Sequence, residues 1–120
     1  MLRKRIFYIQ VFPDHFAGRV VGEDRWVRRD CHALDNTRGD PDFSRIREVL
    51  RSLVKELAPG FSPRKPTALL HFIPEHYQPT QRQLELFKST AEQAGISSCW
   101  LSKWEKPNTD RELTNVFRAL

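Results

Sequence analysis

The run TALLHFI, at positions 67–73, sets the architecture of the whole chain. It is almost continuously apolar, which is typical of a β-strand that is buried on both faces. Patterns typical of amphipathic helices lie on both sides of it in the sequence. A strand that is connected to its neighbours through helices normally belongs to parallel, right-handed crossovers. We therefore predict an α/β sheet with residues 67–73 near its centre.

The two helices that flank this strand carry recognisable start and stop signals. The first follows a cap at Asp40-Pro41, where proline takes the first helical position, and ends near Pro59-Gly60. The second begins at a capping box of Thr80 and Gln83 and stops at Gly95. In both helices apolar residues recur every three or four positions, so one side of each is predicted to pack on the sheet.

Three more strands are predicted before the first helix, at Arg5 to Phe12, Phe16 to Val21 and Arg25 to Cys31. Short polar turns join them, which predicts an antiparallel meander. A fifth strand is predicted at Ile96 to Lys103, and a last helix follows a capping box of Thr109 and Glu112. The element order is β-β-β-α-β-α-β-α. It predicts one domain over residues 1–120, with a five-stranded mixed sheet in the order 3-2-1-4-5 and about three helices, the ribonuclease-H-like arrangement.

Composition and charge indicate a globular protein of the cytoplasm. Hydrophobic residues make up 39% of the chain and charged residues 29%, far from a disordered composition. The net charge of +5 fits either a solvated surface or a footprint for an acidic partner. Cys31 and Cys99 lack the spacing of a disulfide framework or a zinc site, and no run is long enough to insert into a membrane. The apolar run at Ile6 to Phe12 is too short for a signal peptide.

The segment from Leu69 to Leu101 resembles part of the actin superfamily. The signature positions hold Ile73-Pro74 at the end of a strand, Gln81-Arg82 at the start of a helix, Ala94-Gly95 at its end and Glu105-Lys106-Pro107 in a later turn. They are similar to the first subdomain of bacterial actin, the rod-shape-determining protein. The resemblance implies a stand-alone actin-like subdomain.

The nucleotide site of that family does not carry over to this chain. The family has an Asp-x-Gly-Thr turn after its first strand, which holds phosphate and metal, whereas this chain has the run YIQVFP at positions 8–13. Pro13 also removes a backbone donor. The second lobe of the actin fold has no counterpart in the chain, so no cofactor is expected.

The residue types of an active site are present but scattered. A ribonuclease-H-like nuclease needs clustered carboxylates for two metal ions, and the first predicted strand has none, which leaves only Asp14, Glu48 and Glu75 to consider. The four histidines show no pairing typical of metal sites. His71 and Cys99 are predicted to be core residues, and so is Trp100. We therefore expect that the protein is not an enzyme.

The candidate interaction residues fall into four groups. Trp104 is a candidate hot spot in an irregular segment, or else packs on the last helix. The loop at Glu75-His76-Tyr77 follows the carboxyl end of a parallel strand, where ligands often bind. Two basic groups complete the set: Arg25, Arg28 and Arg29 on an edge strand, where they also protect the edge, and Arg45, Arg47 and Arg51 on the first helix.

These features support three hypotheses for the function. The first is a non-catalytic module that binds another protein or itself. The second is a nucleic-acid-binding module that uses the basic face of the first helix, although no known nucleic-acid motif is present. The third is a degenerate enzyme that retains weak binding of nucleotide or metal.

Overall fold

The structure is a computed structural model that describes residues 5–58 and 65–118, without the side chains of residues 116–118. Its strands form one sheet in the order β3-β2-β1-β4-β5, which confirms the predicted order. β1 pairs antiparallel with β2, and β2 with β3, whereas β1, β4 and β5 run parallel. The strands are β1 (Ile6–Val11), β2 (His15–Val20), β3 (Val27–Asp30), β4 (Thr67–His71) and β5 (Ser98–Ser102).

The described helices are α1 (Phe43–Leu57), α2 (Gln81–Gln93) and α3 (Asp110–Arg118), and a 3-10 turn covers His32–Leu34. The capping box of Thr80 and Gln83 is confirmed at the start of α2. Gly95 follows α2 with a φ of 111°, a conformation that favours glycine, so its predicted role as the stop is also confirmed. Before α3, Thr109 and Glu112 exchange the hydrogen bonds of the second predicted capping box.

The predicted cap of α1 is wrong. Asp42 is the N-cap, and its carboxylate accepts a hydrogen bond from the Arg45 backbone N–H at 3.3 Å. Asp40 instead pairs with Arg82 and accepts a hydrogen bond from Gln83, both on α2. Aspartates lie on both sides of Pro41. Because Asp40 contacts α2, Asp42 is the one that caps α1. The helix stop predicted at Pro59-Gly60 lies outside the described residues.

The predicted third strand starts too early. Pairing with β2 begins at Val27, which is opposite Gly18. Trp26 leaves the sheet edge because its ring packs against Tyr8, with 6.1 Å between the ring centroids. The other strand ends differ from the prediction by at most two residues. No helix within residues 5–58 and 65–118 is long and apolar enough to cross a membrane.

The two faces of the sheet differ in how they are covered. The face that carries Phe7, Ile9 and Leu70, here called the helix face, packs against α1 and α2 in one large apolar cluster. Contact with α1 is close: a Cβ added at Gly18 would lie 3.3 Å from the side chains of Ile9, Leu53 and Leu57. On the opposite face a separate small cluster joins Tyr8 and Leu69 to Leu113 of α3.

Candidate functional site

The face opposite α1 and α2 carries an unusual mixture of side chains. Strand register places Arg19, Tyr8, Leu69 and Trp100 in one row across β2, β1, β4 and β5. Residues paired across strands point to the same side of a sheet, so this row lies on a single face. The next row on that face holds Ala17, Gln10, His71 and Ser102. We call this surface the tryptophan face.

A buried hydrogen-bond network occupies the middle of the tryptophan face. The Tyr8 hydroxyl lies 2.7 Å from His71 Nδ1 and accepts hydrogen bonds from Gln10 Nε2 at 3.2 Å and from the Asn108 backbone N–H at 2.9 Å. His71 Nε2 lies 2.9 Å from the backbone carbonyl of Trp104. The network therefore joins two central strands to the segment that precedes α3.

The partners define the tautomer of His71. A carbonyl oxygen can only accept, so Nε2 of His71 carries the proton and donates a hydrogen bond to the Trp104 backbone carbonyl. Nδ1 then accepts from the Tyr8 hydroxyl. Burial lowers the pKa of His71, which keeps the ring neutral, and burial also raises the pKa of Tyr8. The expectation that His71 is a hydrogen-bonded core histidine is confirmed, since it has no exposed surface.

Arg19 attaches the start of α3 to the same face. Its guanidinium forms an ion pair with Asp110, the first residue of the helix. The guanidinium carbon also lies 5.7 Å from the ring centroid of Tyr8 and 5.3 Å from that of Trp26, within the range of cation–π attraction. The charge of Arg19 is therefore balanced inside the protein and does not point to an external anion.

Three tryptophans border this face and stay exposed. The exposed fraction is 65% for Trp104, 48% for Trp26 and 41% for Trp100, and these are the large apolar side chains that are exposed among the described residues. The prediction that Trp100 lies in the core is wrong. In β5 it is Cys99 that is buried, whereas Trp100 points to the opposite side. Exposed tryptophans that share one surface are typical of protein interfaces.

A groove runs between β5 and α3 beside two of these tryptophans. Its cavity measures about 540 Å³, a size within the usual range for ligand pockets. A neighbouring cavity of about 760 Å³ shares Lys103, Trp104 and Glu112 with it and extends past Pro107. The groove is lined by Leu69, Trp100, Leu101, Ser102, Lys103, Trp104, Asn108, Glu112 and Asn115.

The arginines of α1 are engaged within the protein. Arg45 pairs with Glu48 at 2.9 Å, one turn along the helix. Arg51 donates a hydrogen bond to the backbone carbonyl of Gln93 at 3.2 Å, and Arg47 approaches the Gln93 side chain at 3.5 Å. Cations are favoured near the C-terminal end of a helix, and Gln93 is the last residue of α2. Arg47 and Arg51 therefore join the two helices.

The edge arginines have partners as well. Arg29 forms an ion pair with Glu56 of α1, and its hydrogen bond lowers the pKa of that carboxyl. Arg25 donates to the Glu56 backbone carbonyl at 3.0 Å. Arg28 is paired with Asp30 on the same strand at 3.0 Å. These contacts fit the alternative interpretation of the three residues as protection of the sheet edge.

The loop after β4 does not bring its polar residues together. Tyr77 is buried, and its hydroxyl donates a hydrogen bond to the Leu34 carbonyl at 2.6 Å. It is therefore a core residue without surface for a partner, in contrast to its predicted role. His76 is exposed, and its ring lies 5.0 Å from that of Phe12. Glu75 is exposed too, so the predicted site reduces to two surface side chains.

Clustered catalytic groups are not found in the described part of the chain. No three His, Cys, Asp or Glu residues within residues 5–58 and 65–118 are placed to hold a metal ion. Both cysteines are buried and free, and burial raises the pKa of Cys31 and raises that of Cys99 to about 12. A thiol with a raised pKa is a poor nucleophile at neutral pH.

The sequence indicated Trp104 and the buried position of His71, but not the other residues of the tryptophan face. The signal for Trp100 was present, since Ser98 and Ser102 are polar residues at two-residue spacing on either side of it. Tyr8 and Arg19 gave no such signal, because their partners are remote in the sequence. The contact between Tyr8 and His71, for example, spans 63 positions.

The arrangement as a whole is suited to binding. It presents aromatic surface and an apolar groove on a frame that buried hydrogen bonds hold in place. Neither models of known protein families nor curated proteins give a significant match to this sequence.

Proposed function

We propose that this chain is a non-catalytic protein-binding module that uses the tryptophan face. The observation that carries the proposal is that Trp26, Trp100 and Trp104, the exposed large apolar side chains among the described residues, all border one face of the sheet, two of them along the same groove. Scattered apolar residues on a surface are normal, but a shared aromatic surface loses free energy to water unless a partner covers it. Tryptophan is also among the residues that contribute most to binding at protein interfaces.

The support beneath Trp104 strengthens the proposal. A binding residue gains affinity when its frame is held before the partner arrives. The Trp104 backbone carbonyl accepts from His71, and the nearby Asn108 N–H donates to Tyr8. The backbone of this segment is thereby anchored on the sheet while the Trp104 indole stays exposed.

The actin-like origin of the module belongs to the same proposal. The sheet order β3-β2-β1-β4-β5, with an antiparallel meander followed by two parallel strands, agrees with an isolated first subdomain of bacterial actin. In this proposal the chain keeps the sheet of that subdomain and lacks its nucleotide site. The module binds without turning over a substrate.

Nucleic acid receives less support than protein as the partner. Arg47 and Arg51 would have to leave the C-terminal end of α2 in order to reach phosphates. They also lie on α1, which packs on the helix face, away from the exposed tryptophans.

Site-specific photo-crosslinking in the native cell extract tests the proposal. Trp104 is replaced by benzoylphenylalanine, which keeps an aromatic group at the position. Lys55, exposed on α1, carries the same probe as the matched control. We expect a discrete protein adduct from position 104, and none from position 55, that survives nuclease treatment. Equal labelling from both positions, or an adduct that nuclease removes, would overturn the proposal.

A further inference from the structure

We propose that two copies of this chain pair through the outer edge of β5 and form a symmetric dimer with one continuous sheet. This dimer goes beyond the proposed function, which concerns the binding of a different protein around Trp104. Three features support it: the contrast between the two edges of the sheet, the residue pattern of β5 and the charges on α2.

The two edges of the sheet differ in charge. β3 and β5 are the end strands, and in β3 three of the four residues are charged. Arg28 pairs with Asp30, and Arg29 pairs with Glu56 of α1. Charged side chains of this kind protect an edge from pairing with another chain. β5 has the sequence SCWLS, without a charged residue, and its edge therefore lacks this protection.

The backbone of β5 directs hydrogen-bonding groups away from the sheet. The Ser102 carbonyl accepts a hydrogen bond from the Phe72 N–H at 2.8 Å, so the backbone groups of Ser102, and of Trp100 two residues before it, face β4. Backbone groups alternate in direction along a strand, and those of Cys99 and Leu101 therefore point outward. A second strand can satisfy these donors and acceptors.

The residue pattern of β5 favours a second copy of β5 as that strand. On either side of Trp100 stand Cys99 and Leu101, which belong to the apolar helix face. Beyond them stand Ser98 and Ser102. An antiparallel copy centred on Trp100 therefore sets Cys99 against Leu101 of the partner subunit, and serine against serine. Cys99 and Leu101 supply the hydrogen-bonded pairs, and no polar residue faces an apolar one.

Trp100 lies on the two-fold axis of this dimer. Residues opposite each other in a non-hydrogen-bonded antiparallel pair have Cα atoms about 4.5 Å apart, so the two indoles can pack together. Trp100 is 41% exposed, and the groove of about 540 Å³ between β5 and α3 leaves space beside it. The dimer therefore removes from water aromatic surface that the single chain exposes.

The charges of α2 are self-complementary in the same arrangement. α2 packs over β5, so the two-fold axis places the two copies of α2 side by side and antiparallel. Glu85, Lys88 and Glu92 are exposed at helical spacing on one side of α2, and the last two line a hollow beside β5. None of the three forms an ion pair within residues 5–58 and 65–118. Because Lys88 stands between two glutamates, each copy presents a cation to an acid of its antiparallel partner.

Sedimentation velocity of the full chain, from about 1 to about 500 µM, tests for the dimer. We expect the mean mass to rise from that of one chain to that of two and to stop there, because pairing of the two β5 edges closes the assembly. A chain that stays monomeric at the highest concentration, or that assembles beyond two copies, would refute the inference.

Matched charge variants test whether β5 is the interface. Ser98→Lys with Ser102→Lys sets like charges against each other in both serine pairs and should weaken the dimer about tenfold or more. Ser98→Glu with Ser102→Glu should do the same, whereas an equal mixture of the two variants should form a heterodimer. Glu23→Lys changes the net charge as much as the lysine variant, at an exposed turn near the opposite edge, and should leave the affinity within about threefold. An equal loss in Glu23→Lys, or a mixture that stays monomeric, would exclude β5 as the interface.

Disulfide formation tests the register without added charge. Opposite residues of a non-hydrogen-bonded antiparallel pair lie within reach of a disulfide. Mild oxidation of a mixture of Ser98→Cys and Ser102→Cys chains should therefore give a linked heterodimer, and neither variant alone should crosslink. The wild type is the control for Cys31 and Cys99, which are both buried. Crosslinking of each variant with itself would contradict the antiparallel register.

The outcomes separate this dimer from the proposed function. If position 104 crosslinks to a different protein while the chain stays monomeric, the protein-binding function stands and the dimer is wrong. If the dimer forms in the expected register while positions 104 and 55 are labelled equally, the dimer stands and the proposed function is wrong.

Discussion

The two faces of the same five-stranded sheet are held in different ways. On the helix face, α1 and α2 close over an apolar cluster that includes Phe7, Leu53 and Leu70, each without exposed surface. On the tryptophan face the apolar cluster is small, and a hydrogen-bond network centred on Tyr8 and His71 attaches the segment before α3. One face is stabilised mainly by packing, and the other by directional bonds.

Within a single strand, different residues therefore contribute to the stability of the fold and to the support of the binding surface. Because strand side chains alternate, neighbouring residues serve opposite faces: Phe7 packs under the helices, whereas Tyr8 organises the network. A network fixes the position of a surface segment without burying it. This is how Trp104 stays exposed above an ordered support.

The largest expected effect comes from truncating neighbouring leucines of β4. Leu70→Ala opens a cavity in the closed helix face and should lower the free energy of unfolding by about 4 kcal/mol. Leu69→Ala, next to the groove, should lower it by about 2 kcal/mol, since the open groove leaves less of a closed cavity behind. Urea unfolding of both variants measures the difference. Equal losses would mean that both faces are stabilised by packing to the same degree.

The fold could be predicted from the sequence because its signals are local. The apolar run at 67–73, the capping boxes and the helical stripes each depend on a few neighbouring residues, and together they gave the correct sheet order. The cap at Asp40 was wrong because two aspartates compete there, and the choice depends on contacts with Arg82 and Gln83 across the fold. The predicted start of β3 was wrong because Trp26 lies off the sheet edge, where its ring packs against Tyr8.

The candidate site was harder to predict because it is built from remote contacts. His71 was correctly placed in the core, yet its partners come from β1 and from the segment after β5. The prediction for Trp100 was wrong although Ser98 and Ser102, at two-residue spacing on either side of it, indicate that its side of β5 is the more exposed one. Tyr77 was predicted as part of a binding loop, but its buried hydroxyl donates a hydrogen bond to the backbone carbonyl of Leu34.

Removing the hydroxyl of a buried tyrosine on each face compares how much the network and a single hydrogen bond stabilise the fold. Tyr8→Phe removes a hydroxyl that serves His71, Gln10 and Asn108, and should lower the free energy of unfolding by about 2 kcal/mol. Tyr77→Phe removes a single bond to Leu34 on the helix face and should lower it by about 1 kcal/mol. Urea unfolding with an unchanged denaturant slope measures both values. A smaller loss in Tyr8→Phe would contradict the central role of the network.

Acidification below about pH 6.5 should lower the free energy of unfolding through His71, the buried histidine of the tryptophan face. Burial lowers the pKa of His71 in the folded protein, whereas in the unfolded chain it takes up a proton near pH 6.5. Its contribution is therefore complete above about pH 6.5 and declines as the pH falls toward the lower folded pKa. The slope that one such group adds is at most about 1.4 kcal/mol per pH unit.

Urea unfolding between about pH 7.5 and 5 measures this slope. The carboxyls with lowered pKa values, such as Asp14 and Glu56, lose most of their contribution below about pH 5, outside this range. His71→Gln should flatten the slope, and His32→Gln, at an exposed position, should leave it unchanged. If the two variants keep the same slope as the wild type, His71 is not the responsible group.

The smallest expected effect on stability is at the most exposed tryptophan. Trp104→Ala should change the free energy of unfolding by less than about 0.5 kcal/mol, since its indole is mostly exposed and its bond to His71 uses the backbone carbonyl. Trp26→Ala should lose about 1 kcal/mol, because that ring packs on Tyr8 and on the Arg19 guanidinium. Urea unfolding compares the two variants. A larger loss at Trp104 would show that its indole stabilises the fold, and the binding role proposed for it would lose its basis.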